Sequence, residues 1–328
     1  MDESVVEKID GGFAARARER QSRLTKPPGS LGRLEEIAVR LAAIQRSERP
    51  VTRGRTIVLF AGDHGVTEEG VSPYPSEVTG QMVANITSGG AAINAIAGVA
   101  KAEVRVVDTR SVRASTRNLA REPAMTEAEV EEAMRLGTEA VGGLESVTVV
   151  GLGEMGIGNT TAASAMTAAL TGLSPARVTG RGTGLGDDGV RRKVAVVERA
   201  LDLHGVCEPH DILRCLGGLE IAALTGFCLE AARRRKAIVV DGFITTAAFA
   251  IAWRIEPLVK DYAFFSHRSV EPGHESLLEF LDAEPLLDLH LRLGEGTGAA
   301  LAIPILDAAV AAHNEMATFE SAGVADKT

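Results

Sequence analysis

Five short stretches constrain this chain more than any other feature. "TIVLFAG" (56–62), "VRVVD" (104–108), "VTVVG" (147–151), "AIVVDG" (237–242) and "YAFFS" (262–266) are apolar without alternation. Strands with no polar face belong in a parallel sheet covered on both sides. Helical patterning fills the intervals at 76–99, 126–142, 160–171, 189–203 and 218–235. The expected fold is therefore α/β, with a mainly parallel, Rossmann-like sheet flanked by helices.

Residues 1–48 read as charged helix interrupted by "TKPPGSLGRLE" (25–35), where Pro27, Pro28 and Gly29 break the chain and Ser30 is placed to cap the next helix. The last fifteen residues carry no motif and read as a frayed tail. With 35 glycines and only 4% aromatic residues, the chain must pack its helices closely and turn often.

A net charge of −9 argues against a nucleic-acid or anionic-membrane partner. An anionic small substrate would have to be held locally, by backbone amides and a few cations. Three cysteines without C-x-x-C spacing suggest neither a zinc site nor a disulfide framework, and point to a reducing cytosol. "MDESVVEKID" has no signal-peptide core, and the longest apolar run, 237–253, is short and interrupted by Asp241 and Gly242. No membrane span is expected.

Several strands end in polar residues: Asp63-His64, Asp108, Glu154, Asp241 and Ser266-His267. Open parallel sheets bind ligands outside the carboxyl ends of their strands. Each of these side chains could instead cap a following helix, but five together favour a functional edge.

"GLGEMG" (151–156) satisfies G-x-G-x-x-G, yet the acidic ribose ligand expected some twenty residues later is missing from "TGLSPARVTG". The chain has no Gly-Lys pair and hence no P-loop, and G-x-S-x-G and H-E-x-x-H are absent as well. What remains is a phosphate cradle. "GIGNTT" supplies Gly156, Gly158, Asn159 and Thr160, and "TGRGTG" supplies Thr179, Gly180, Arg181 and Gly182. Lys193 and "SHRS", with Ser269, could add charge and hydroxyls. Two glutamates stand against this cradle: Glu154, and Glu295 between Gly294 and Gly296 in "LGEGTGAALA". Enclosure by apolar and glycyl neighbours raises a carboxyl pKa and suits it to act as a base near neutrality.

"TKPPGSLGRLE", "FAGDHGV", "GLGEMGIGNTT", "TGRGTG", "GGLEIAALTG", "VVDGFITTAA", "FSHRSVEPGH" and "LRLGEGTGAALA" succeed one another in that order. Together they resemble the nicotinate-nucleotide–dimethylbenzimidazole phosphoribosyltransferases of cobalamin lower-ligand assembly, over residues 25 to about 312. The resemblance implies transfer of the 5-phosphoribosyl group of nicotinate mononucleotide to 5,6-dimethylbenzimidazole, giving nicotinate and α-ribazole 5′-phosphate. The pyridinium leaving group is already cationic and needs no acid, whereas the incoming benzimidazole must lose its N–H proton. In that reading Glu295 is the base and Glu154 a second acid near the ribose. The loops around Gly156, Thr179–Gly184, Lys193 and Ser269, with Asp241, hold phosphate and ribose. Ser72, Tyr74 and Gln81 line the benzimidazole site, beside Met155, Leu293 and Gly294.

No metal or organic cofactor is implied. The resemblance also implies a small helical domain, from residues 1–50 with about 275–328, beside a large domain of 51–274, and a homodimer. Two other readings stand beside it. One is a metal-dependent phosphohydrolase using Asp63, His64 and Asp241. The other is a nucleotide-binding sensor without turnover.

Overall fold

A computed structural model describes residues 5–325. Five parallel strands, β1 (Thr56–Ala61), β2 (Glu103–Asp108), β3 (Val149–Met155), β4 (Ala237–Val240) and β5 (Ala263–Phe265), form one sheet in the order β2-β1-β3-β4-β5. These are the five apolar runs of the sequence. Every residue of β1, β4 and β5 is buried, as is all of β3 but its last. Ile57, Leu59 and Phe60 are wholly enclosed, each worth about 1.5–3 kcal/mol of hydrophobic stabilisation. The edge strand β2 departs from the expectation of full cover. Its residues are only partly buried and Glu103 is exposed, whereas β5, the other edge strand, is buried throughout.

In chain order the helices are α1 (Gly11–Arg23), α2 (Arg33–Gln45), α3 (Glu77–Thr87), α4 (Ala92–Val99), α5 (Glu127–Gly142), α6 (Asn159–Thr171) and α7 (Pro175–Val178). Next come α8 (Asp187–His204), α9 (Pro209–Leu216), α10 (Leu219–Arg233), α11 (Phe243–Ile255), α12 (Pro272–Phe280), α13 (Thr297–Glu315) and α14 (Phe319–Ala322). Helix α5 starts on a capping box, with Thr126 and Glu129 exchanging side-chain and backbone bonds. It crosses α10 at backbone-to-backbone range. A Cβ on Gly137 would fall 2.8 Å from the Phe227 nitrogen, and one on Gly226 would fall 2.9 Å from the Met134 Cα. The scarcity of bulky residues thus sets how near the layers approach.

Three expectations are corrected. The stretch 76–99 is two helices: after α3 the chain turns through Gly89 (φ 82°) and Gly90 before α4 begins. Residues 77–99 have the length and mean hydropathy (1.3) of a spanning helix, but the break divides them. Ser30 does not cap α2, which begins after Gly32 (φ 50°) with no side-chain cap. Nor is the C-terminus a bare tail. Thr318 bridges Leu24 in antiparallel fashion and its hydroxyl caps α14.

Helix α13 runs from the carboxyl edge of the sheet to the N-terminal helices. There the Arg20 guanidinium donates to the His313 and Asn314 carbonyls, and Arg49 also donates to Asn314. The first and last helical segments are therefore one packed group.

Candidate active site

Strand β1 has β2 on one side and β3 on the other, so the chain reverses its direction of travel at β1. At such a switch point the loops leaving two neighbouring strands diverge and open a crevice. Here the Gly62 amide donates to the Met155 carbonyl at 3.0 Å, tying the two exits together. A cavity of about 270 Å3 opens beside them, bordered by Glu154, Met155, Gly156, Asn159 and Thr160 from the β3–α6 turn. Gly182, Ser269, Glu271 and the 292–294 segment close it, and Tyr74 stands at its mouth.

The β3–α6 turn is built as the glycine pattern suggests. Gly158 (φ 97°) precedes α6, which has no side-chain cap; the Asn159 and Thr161 amides bond the Gly156 and Gly158 carbonyls, and the Thr160 amide between them is left for a ligand. Lys193, fully buried on α8, reaches this turn and donates to the Thr160 hydroxyl at 2.7 Å. Burial lowers the Lys193 pKa to about 8, and the nearby Glu271 charge opposes the fall. Positive charge of helix and side chain thus converge on one point.

Glu154 is buried, and its Oε2 accepts from the Asn159 side-chain amide. Burial raises its pKa to about 8, the charges of Asp241, Glu220 and Glu295 add to the rise, and the Asn159 bond only partly offsets it. The carboxyl is therefore largely protonated at neutral pH.

Glu295 occupies the left-handed region (φ 60°), between Gly294 (φ 83°) and Gly296 (φ 84°). A non-glycine residue held there costs about 1–2 kcal/mol. The residue is 5% exposed, Oε2 has no partner among the described residues, and burial raises its pKa while the Ile93 amide at the start of α4 pulls it down. It lies just outside the lining of the cavity. The segment is pressed against the site by missing side chains: a Cβ on Gly153 would lie 2.8 Å from the Glu295 carbonyl oxygen, and one on Gly294 would strike Glu154 Oε1.

The other predicted residues divide. Thr179, Gly180 and Arg181 border an adjoining cavity of about 620 Å3, separated from the first by Glu271 and Arg292. Arg181 is turned to Asp187 and the Leu185 carbonyl. Asp241 lies beneath the floor rather than on it, fully enclosed, with its carboxylate accepting from the amides of Gly296 and Ala299. Ser72 bonds the Thr183 hydroxyl at the rim at 3.1 Å, and Gln81 is exposed on α3, outside the lining. Leu293 and Tyr74, 57% and 52% exposed, both border the cavity.

Sequence reasoning missed Glu271, Arg292 and the pair formed by His64 and Glu220. The last two side chains are sealed from solvent and meet at 2.7 Å, beneath Gly62 and Gly218, where any Cβ would collide with them. Asp108 proves to be a cap, accepting from the Arg110 amide. Among the described residues no three His, Cys, Asp or Glu side chains are grouped to hold a metal ion, and the trio Asp63, His64 and Asp241 does not converge: His64 is bound to Glu220 and Asp241 to the α13 amides.

A family model described as Phosphoribosyltransferase matches residues 6–324. A nicotinate-nucleotide–dimethylbenzimidazole phosphoribosyltransferase of Azotobacter vinelandii is 49% identical, covering 98% of this chain and 97% of the relative. A protein of the same name from Geobacter metallireducens is also 49% identical, covering 98% and 96%. The crystal structure of CobT from Thermus thermophilus superposes with a TM-score of 0.92 at 47% identity, over 96% of this chain and all of that one.

Proposed function

This chain belongs to the phosphoribosyltransferase family, and on that premise we propose that it transfers the 5-phosphoribosyl group of nicotinate mononucleotide to 5,6-dimethylbenzimidazole, releasing nicotinate and α-ribazole 5′-phosphate in assembly of the cobalamin lower ligand. The observation that carries the reading is one cavity with two unlike ends. An uncapped α6 N-terminus with Lys193 forms an anion-binding end, and Glu154 and the Glu295 segment form a carboxyl end.

The donor's phosphate docks on the α6 turn, at Gly156, Asn159 and Thr160, with Lys193 behind. This fixes the ribose so that its anomeric carbon lies toward the carboxyls. The benzimidazole enters between Tyr74 and Leu293. One ring nitrogen attacks the anomeric carbon from the face opposite the departing nicotinate, and the C–N bond to nicotinate breaks with its electron pair. Inversion turns a β-linked donor into an α-linked product. Glu295 takes the proton from the other ring nitrogen. Its desolvated, unpartnered oxygen and left-handed backbone support that role. Glu154, mostly neutral, donates to a ribose or ring acceptor without repelling the phosphate.

The decisive experiment measures nicotinate release from nicotinate mononucleotide with and without dimethylbenzimidazole, for the parent and for Glu295→Gln. Release that requires the benzimidazole, and that the glutamine variant largely loses, carries the proposal. Binding without release would make the protein a sensor, and phosphate release abolished by a chelator would make it a phosphohydrolase.

The same reading includes a cytoplasmic homodimer and a small domain of residues 1–50 with about 275–328. The packing of α1 and α2 against α13 supports the second. The poorly buried apolar stretch 77–99, with Val99 82% exposed, supports the pairing of two copies.

A further inference from the structure

One carboxylate on the cavity wall has no part in the scheme above. Glu271 immediately precedes α12 and is 6% exposed. It stands between the two cavities that share Arg292. Its Oε1 accepts from the Gly182 amide at 2.9 Å. Its Oε2 is sealed from solvent and has no partner among the described residues. A Cβ on Gly180 would run into Oε2 and into the Pro272 ring.

A buried carboxylate oxygen without a donor is costly, and a site retains one where a ligand supplies the missing hydrogen. The donor nucleotide narrows the choice. Its phosphate and its ring carboxylate are anions with nothing to give, and its pyridinium nitrogen bears no hydrogen. Only the ribose hydroxyls remain. The benzimidazole N–H is the one other donor in the reaction, but in the scheme above its proton goes to Glu295, which lies outside the lining that holds Glu271. Glu271 belongs to the anion-binding end, with Gly182 and within the field of Lys193.

We propose that Glu271 accepts a hydrogen bond from a ribose hydroxyl of the donor nucleotide and makes the enzyme selective for ribose over deoxyribose. The inference rests on the transfer reading above. Its geometry is self-consistent, because the bond that Oε1 takes from Gly182 fixes the carboxylate and leaves Oε2 as the single free acceptor.

The test compares nicotinate mononucleotide with its 2′-deoxy and 3′-deoxy analogues, reading kcat/KM for nicotinate release at saturating dimethylbenzimidazole. The parent should favour ribose over one deoxy analogue by about 10–100-fold, the worth of a hydrogen bond to a charged group. In Glu271→Ala that preference should shrink to about 3-fold or less. In Glu271→Gln, which is isosteric and guards against loss of fold, it should be clearly reduced. A parent indifferent to both deoxy analogues overturns the proposal. So do variants that slow every donor alike and keep the preference. If the parent releases no nicotinate at all, the transfer reading fails instead. The same ribose-against-deoxyribose comparison, read as thermal-shift binding of the intact nucleotides, then decides the role of Glu271 separately.

Discussion

Oδ2 of Asp241 accepts the amide hydrogen of Gly296 at 3.1 Å, one residue past Glu295. Through its other oxygen the same carboxylate takes the Ala299 amide at 2.9 Å. Asp241 thus ties the end of β4 to the first turn of α13, and the left-handed segment carrying Glu295 is held between them. In Asp241→Asn an amide hydrogen must face one of those backbone donors. The variant should lose about 1.5–3 kcal/mol of stability, and its turnover should fall further than its donor affinity, because Glu295 is no longer held in place. Denaturant melts and single-turnover rates measure the two effects separately.

Glu295→Gln keeps the shape of the loop and removes the base. Its kcat should drop by about 10²–10⁴, the usual worth of general base catalysis, with little change in KM for nicotinate mononucleotide. A kcat within a few-fold of the parent would rule Glu295 out as the base.

Glu154 titrates near 8 in the folded protein against an ordinary value of 4.5. The folded state therefore holds a proton that the unfolded chain has released between those values, and stability falls as pH rises through that window. Glu154→Gln removes the dependence. Thermal melts should show the variant and parent close at pH 5, with the variant ahead by pH 8.5. Equal melting temperatures at both values would mean that Glu154 is not held neutral.

Lys193 loses its proton as pH passes about 8. In the free enzyme kcat/KM for the phosphorylated donor should therefore decline above that pH. Lys193→Met should raise KM by about 10–100-fold, as expected for loss of a charge-assisted bond, and should flatten that limb of the profile. A profile that keeps its shape in the variant would assign the decline to another group.

Gly137→Ala tests the fold apart from the chemistry. The new methyl meets the backbone of α10 with no flexible side chain to yield. Overpacking of this kind should cost about 1–3 kcal/mol, with kcat unchanged in the protein that remains folded. Chemical denaturation measures it.

The sheet was legible because each strand is apolar on both faces, a property of consecutive residues that needs no knowledge of distant ones. The same local rule misread 76–99, where Gly89 and Gly90 sit inside a periodic pattern that tolerates single glycines but not a turned pair. Helix α13 went unread because it is apolar around most of its circumference and contains Pro304. Glu295 and Glu154 stood out through their glycine flanks. Glu271 did not, since its partner Gly182 is 89 residues away, and neither did His64 and Glu220, which are 156 apart. Pairings at that range leave no trace in a window of sequence. Asp241 was placed on the correct edge with the wrong neighbour, as a strand-end acid looks the same whether it meets a ligand or a helix.

The antiparallel bridge between Leu24 and Thr318 also bears on how the chain is made. Its two sides lie far apart in the chain, so one is made long before the other. Helices α1 and α2 are made before any strand of the sheet, yet their contacts with α13 wait for residues 297–315. The sheet can assemble on the way out, from strands that emerge in order and pair with near neighbours. The clasp closes only once residue 318 has emerged, after every strand of the sheet has been made. A nascent chain halted before α13 would thus hold all five strands but lack the Ala299 amide through which Asp241 anchors the helix that follows Glu295.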